Sequence, residues 1–149
     1  MSAIRVIIID DEKMITKMLK GFLEDHGFIV QTAASAEEGL AVMSGEAFDA
    51  AIVDLRLPDM DGSEVVARAV ALQPRIKCFI HTGSIDYMPS EDLVQLGVDV
   101  DSITLVGGTT IFPGMAAVVQ EITGIPTRKP ENPLFVTPLG IALSDVQGF

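Results

Sequence analysis

Apolar runs alternate along this chain with stretches whose apolar residues recur at helical spacing. Ile4–Ile9 reads as a strand buried on both faces. Met14, Ile15, Met18, Leu19, Phe22 and Leu23 then recur as pairs every four residues, which predicts a helix with one apolar face. Gly27 stops that helix as the residue after its C-cap. Phe28–Ala33 predicts a second strand. Ser35-Ala-Glu-Glu38 is a capping box opening a second helix through about Met43. Ala50–Val53 predicts a third strand that ends at Asp54, and the loop "LRLPDMDG" follows. Ser63–Leu72 predicts a third helix, with Val65, Val66, Ala69 and Val70 facing inward. Lys77–His81 reads as a fourth strand ending at Thr82, Pro89–Leu96 as a short helix, and Ile103–Val106 as a fifth strand.

Strict strand–helix alternation with short loops implies parallel strands joined by right-handed crossovers, with helices on both faces. Near-continuous apolar runs are what such doubly covered strands require. The predicted class is therefore an α/β doubly wound sheet of five parallel strands. Ligands of such sheets bind at the carboxyl ends of the strands. Asp10, Asp11, Asp54 and Thr82 all fall at those ends.

Three converging carboxylates repel one another, and a site relieves this by raising pKa values or by binding a cation. A hard divalent ion with oxygen ligands suits the set. Mg²⁺ takes one or two carboxylates, keeps several waters and completes its shell with phosphate oxygen. The constellation thus predicts Mg²⁺-assisted phosphoryl chemistry. Asp11 would hold the metal directly and Asp10 mainly through water. Asp54 would be the nucleophile, accepting a phosphoryl group as an acyl phosphate, and the Thr82 hydroxyl would bind a phosphoryl oxygen.

Composition narrows the picture. The 149 residues suit one domain, or one domain with an appendage, and a hydrophobic content of 48% is ample for one core. The net charge of −11 disfavours nonspecific nucleic-acid binding, and no Lys/Arg cluster is present to read DNA. No apolar run approaches the ~20 residues that span a bilayer, and the N-terminus lacks a signal-peptide pattern. The single Cys78 reads as a small buried hydrophobe. A cytoplasmic location is expected. His26 at a helix end and His81 at a strand end both read as local structure.

The motifs "IIIDDE" (7–12), "VDLRLPDMDG" (53–62) and "FIHTGS" (79–84) resemble those of the receiver domain of bacterial response regulators, a flavodoxin-like (CheY-like) fold. The resemblance covers roughly residues 3–100. It implies two-component signal transduction: Asp54 as phosphoacceptor, Asp10 and Asp11 as the acidic pair, and Thr82 as the switch hydroxyl. It also implies that the Arg56 backbone carbonyl is a metal ligand, that Mg²⁺ is the cofactor, and that a sensor histidine kinase is the phosphodonor. The output protein is not indicated, and a homodimer stays open. The chain would be a phosphoacceptor, with at most slow self-phosphorylation and dephosphorylation, rather than an enzyme.

The chain departs from that pattern at its fifth strand. Receivers carry a lysine there, whose place is taken by about Val106, and no lysine lies between Lys77 and Lys129. The aromatic switch position falls near Ile103. A second expectation is therefore a degenerate or chimeric receiver-like scaffold that acts only through protein contacts. Residues 103–144, beginning "ITLVGGTT", resemble instead the end of an Hsp70/actin-like ATPase of the ethanolamine-utilisation type. That family's other phosphate-binding loops are missing, so an ATPase is not expected. The tail has structural sense of its own: a helix over Pro113–Thr123 closed by Gly124, an edge strand at Ile125–Arg128, and a last helix beginning at Thr137-Pro138. The expected organisation is a receiver-like body over 1–106 and a C-terminal segment over 107–149. A phosphohydrolase of the haloacid-dehalogenase type, with Asp10 as nucleophile, fits poorly, because Asp54 would have no role.

Overall fold

The computed structural model describes residues 3–81, 101–105 and 113–129. The chain forms two compact units, Met1–Val98 and Asp99–Phe149. In the first, strands β1 (Arg5–Ile9), β2 (Ile29–Ala33), β3 (Ala50–Asp54) and β4 (Lys77–His81) alternate with helices α1 (Lys13–Asp25), α2 (Ala36–Gly45) and α3 (Gly62–Leu72). The four strands are all parallel, in the order β2-β1-β3-β4. This is the flavodoxin-like, CheY-like arrangement.

The register sorts the core into two layers, because side chains alternate between sheet faces along a strand. Ile7 and Ile9 of β1 and Ala51 and Val53 of β3 share one cluster with Met43 of α2 and Val65, Val66 and Ala69 of α3. Val6 and Ile8 point to the opposite face, and α1 packs against β1 and β2. On α1 only Leu19 and Leu23 are fully buried, while Met14 and Met18 stand in solvent at 75% and 52% exposure. The apolar face read from the sequence is thus wider than the face the sheet covers.

Helix ends are set locally. Gly27 takes a left-handed backbone (φ 88°) directly after the α1 C-cap, as expected. Ser35 caps α2 by accepting from the Glu38 N–H at 3.2 Å, and Glu38 reaches back to the Ala34 N–H at 2.7 Å. Asp61 caps α3 by accepting from the Ser63 N–H at 2.9 Å. Cys78 is partly buried, and burial pushes its thiol up to about 11.

In the second unit, β5 (Ile103–Thr104) pairs in parallel with β6 (Thr127–Arg128) in a two-stranded sheet, joined through α4 (Met115–Thr123). The expected sheet of five strands is therefore corrected. Among the described residues it has four, and Ile103 and Thr104 hydrogen-bond to a partner supplied by their own segment. The physical reason is local: a strand–helix–strand piece carries its own parallel neighbour, and the Ile103 and Leu105 N–H groups donate to Pro126 and Arg128 carbonyls at 2.8 and 2.9 Å. Pro113 precedes α4 instead of opening it. Gly114 is the N-cap, and Gly124 closes the helix with φ 71°. The expected helices at 89–96 and from 137 lie outside the described residues, as does Val106.

Candidate metal and phosphoacceptor site

The two faces of the sheet continue past its carboxyl edge. Ile9 pairs with Val53 and Asp54 pairs with His81. Asp10, one residue beyond Ile9, therefore shares a face with Asp54 and His81. Three adjacent strands, β1, β3 and β4, each end on a polar residue in one row. The apolar residues of the same face, such as Ile8, Ile52 and Phe79, lie two residues back along the strands.

Asp10, Asp11 and Asp54 each offer a carboxylate oxygen, and these oxygens lie within 4.8 Å of one another. Their surroundings differ. Asp10 is buried at 2% exposure, Asp54 is half-buried, and Asp11 is exposed. Asp10 is held from two sides: its N–H donates to the Ala33 carbonyl at 3.0 Å, and its Oδ1 accepts from the Glu12 N–H at 2.7 Å. Burial pushes its carboxyl above the ordinary carboxylate range. The Glu12 N–H and His81 work against that rise, and the charges of Asp54 and Asp11 add to it.

The other oxygen of Asp10, Oδ2, is buried and has no hydrogen bond. The Nε2 of His81 stands 3.0 Å from it as an ion-pair contact. A buried carboxylate oxygen left without a donor, facing two more carboxylates with an open solvent side, fits a hard divalent cation. Asp10, Asp11 and Asp54 would hold it.

The loop after β3 is fastened at several points. The Leu55 N–H donates to the His81 carbonyl at 3.1 Å, and the Gly62 N–H donates to the Leu55 carbonyl at 2.8 Å. Arg56 is exposed, and its backbone pairs with that of Asp61 in a single antiparallel bridge across the loop. Asp59 reaches to the start of α2, accepting from the N–H groups of Ala36 and Glu37 at 3.0 and 2.9 Å. Those two bonds, Glu37's first, hold the Asp59 carboxyl below its usual range. Gly62 is required by close approach, since a Cβ there would lie 2.4 Å from the Asp54 carbonyl oxygen.

The structure thus brings together Asp10, Asp11 and Asp54, and places Arg56 on the adjoining loop. Thr82 lies outside the described residues. Sequence reasoning passed over the contact of His81 with Asp10 and the tether made by Asp59. The signal for the second was an Asp within the "PDMDG" turn, a residue type suited to capping exposed N–H groups.

Comparison with known proteins places the chain by family and fold. A family model described as the response regulator receiver domain matches residues 6–101. The alginate biosynthesis transcriptional regulatory protein AlgB of Pseudomonas aeruginosa is 32% identical over 93 residues, which is 62% of this chain and 21% of that protein. The C4-dicarboxylate transport transcriptional regulatory protein DctD of Rhizobium meliloti is 35% identical over 92 residues, 62% of this chain and 20% of that protein. The chain thus spans about a fifth of the length of these relatives. A CheY-like response regulator receiver domain protein from Methanospirillum hungatei superposes with a TM-score of 0.62 at 27% identity, covering 99% of this chain and 94% of that one. The response regulator TrrA of Thermotoga maritima, solved in complex with Mg²⁺-BeF, gives a TM-score of 0.56 at 28% identity, covering 64% and 82%. With its sheet order, its acidic strand-end cluster and a family match over most of its length, this chain belongs to the receiver domain family of the two-component response regulators.

Proposed function

We propose that Asp54 is the phosphoacceptor of this receiver and takes a phosphoryl group from the phosphohistidine of a sensor histidine kinase. The observation that carries this reading is the convergence of the Asp10, Asp11 and Asp54 oxygens within 4.8 Å at the carboxyl edge of the sheet. Attack by an Asp54 carboxylate oxygen on phosphorus forms the acyl phosphate as the P–N bond to the kinase histidine breaks. Asp11 would hold Mg²⁺ directly, Asp10 mainly through water, with Asp54 and the Arg56 backbone carbonyl completing the protein's share. The bound ion would supply positive charge against the phosphoryl oxygens. Gly62 and the Leu55 bonds keep the acceptor strand end in place, and the Thr82 hydroxyl, next in the chain after His81, would receive a phosphoryl oxygen. The chain acts in this reading as a signalling phosphoacceptor.

A second reading rests on one sequence fact: no lysine lies between Lys77 and Lys129. Without that ammonium the crevice has one cation fewer to balance an incoming phosphoryl group. The chain would then be a receiver-like scaffold working through protein contacts. The strand–helix–strand second unit is in keeping with an added segment, and its derivation from an actin-like ATPase rests on the sequence resemblance of residues 103–144 alone. The relatives named above are transcriptional regulators, and the acidic charge of this chain favours protein contacts over nucleic acid for the segment in hand.

Incubation with a small phosphodonor and Mg²⁺, followed by intact mass, separates the two. One base-labile phosphoryl group, absent in Asp54→Asn and absent with a chelator, is the receiver outcome. No adduct from a folded, Mg²⁺-binding protein is the scaffold outcome.

A further inference from the structure

We propose that α1 is a self-association surface, on which two copies of this chain pair through antiparallel packing of their α1 helices. Met18 of each copy seats on the partner's Gly21, and Lys17 of each meets the partner's Asp25. This stands on α1 alone and is independent of the phosphoacceptor reading.

Spacing supplies the first ground. Met14, Met18, Gly21 and Asp25 recur at intervals of four, three and four, which sets them in one line along a helix. All four are exposed, as is Lys17 beside them. The line that packs on the sheet runs through Leu19 and Leu23 instead. Two large apolar side chains thus stand in water next to a position that has none. A Cβ on Gly21 would meet nothing within 4 Å, so a second helix can come close there.

A two-fold axis between Met18 and Gly21 gives the register. Each Met18 then lies opposite the partner's Gly21, and its flexible side chain fills the space that glycine leaves. Met14 lies opposite the partner's Asp25. Helical side chains lean towards their own N-terminus, which in the reversed partner is the direction of residues 24 and 25. The Lys17 stem therefore carries its ammonium to the partner's Asp25. Each contact is made twice, as two-fold symmetry requires.

Charge selects a second copy as the occupant. At −11, two of these chains repel at long range, so a surface they share needs local complementarity. α1 has it. Lys13, Lys17 and Lys20 precede its last turn, and Glu24 and Asp25 lie within that turn. Lys20 is paired with Glu24 at 3.1 Å, but among the described residues Lys13, Lys17 and Asp25 enter no ion pair. This order opposes the helix dipole, which favours acids in the first turn and bases in the last; α1 has neither. Antiparallel pairing sets each disfavoured end beside the partner's opposite charge. A purely acidic partner would answer the lysines and repel Asp25. One 13-residue helix on another is a small contact, in the weak class below about 1,200 Å², so the dimer forms at high protein concentration.

Sedimentation equilibrium of the whole chain, from micromolar to millimolar concentration, tests this. The expected result is a reversible monomer–dimer equilibrium that added salt weakens. Lys17→Glu and Asp25→Lys should each raise the dimer Kd at least about tenfold, since each sets like charges together twice. An equal mixture of those two variants should form heterodimers, and the double variant should recover the homodimer. Gly21→Leu, which fills the notch, should lose it. All the substituted positions are exposed, and an unchanged circular dichroism spectrum checks that the fold survives. A chain that stays monomeric throughout leaves this face to a different protein and overturns the proposal. So does a dimer indifferent to these substitutions, or a mixture of the two charge variants that fails to associate.

Discussion

Replacing Gly62 by alanine probes how the carboxyl end of β3 is held. Gly62 opens α3 with an ordinary backbone, so no left-handed conformation demands glycine there. Space does. A Cβ would meet the Asp54 carbonyl oxygen at 2.4 Å and the Leu55 Cα at 2.7 Å, whereas ordinary contact begins at 3.4 Å. The obstacle is backbone, so no side chain can swing aside. Either α3 or the end of β3 must retreat by about 1 Å, and overpacking of this kind costs about 1–3 kcal/mol. Alanine's better helix propensity returns at most about 1 kcal/mol. The net expectation is a loss of roughly 1–2 kcal/mol. With a urea slope of about 2 kcal/mol/M, that is a midpoint lowered by about 0.5–1 M. The control is Gly21→Ala: Gly21 sits within α1 and its Cβ would meet nothing within 4 Å. That variant should gain about 0.5–1 kcal/mol. Because the displaced atoms belong to Asp54 and Leu55, Gly62→Ala should also weaken Mg²⁺ binding, and Gly21→Ala should not. A Gly62→Ala protein as stable as wild type, with Mg²⁺ affinity intact, would refute the steric argument.

Two further outcomes follow from the carboxylates. The folded Asp10 carboxyl titrates above its ordinary 3.8, so its extra stability is present below 3.8 and is lost as pH rises through the folded value. Asp10→Asn should therefore raise the urea midpoint at about pH 7 without divalent ions, the gain narrowing towards pH 4, while metal affinity falls at least about tenfold. Asp59 is shifted the other way, below 3.8, so its contribution is present above 3.8 and lost as pH falls through the depressed value. Asp59→Ala should lower the midpoint at about pH 7, and the difference from wild type should shrink below pH 4. A difference independent of pH would mean that the two α2 N–H bonds are not its source.

What could be read from the sequence divides by the kind of force involved. β1 to β4 and α1 to α3 were legible to within two residues, because doubly covered strands need unbroken apolar runs and helices such as α1 and α2 need Gly27 or Ser35 at their ends. Those are local requirements. The fate of Ile103–Thr104 was not legible, since an apolar run says that a strand exists and not which strand pairs with it. Met14 and Met18 misled for a similar reason: apolar spacing marks a face, but only the packed sheet shows how much of it is covered. In the site, Asp10, Asp11 and Asp54 were legible as strand-end charges. His81 was not, because its contact with Asp10 spans a whole intervening strand and depends on the register of both.

That register also explains why the site is electrostatically unbalanced by construction. Two residues along β1, β3 and β4 the same face changes from Ile8, Ile52 and Phe79 to Asp10, Asp54 and His81. For an exposed edge, water would solvate the new charges. Asp10, however, is as buried as the isoleucines behind it, so its second oxygen must be answered by something other than solvent. Among the described residues no basic side chain forms an ion pair with it apart from His81 at 3.0 Å. The open side, where Asp11 and Asp54 meet solvent, is the route by which a cation can supply that charge. A folded state destabilised by its own acid cluster gains most from such a ligand. At a free ion concentration of a hundred times Kd the gain is about 2.7 kcal/mol. The burial that makes Asp10 costly in the bare protein is thus the same burial that makes a bound ion's contribution large, since fewer waters screen the interaction.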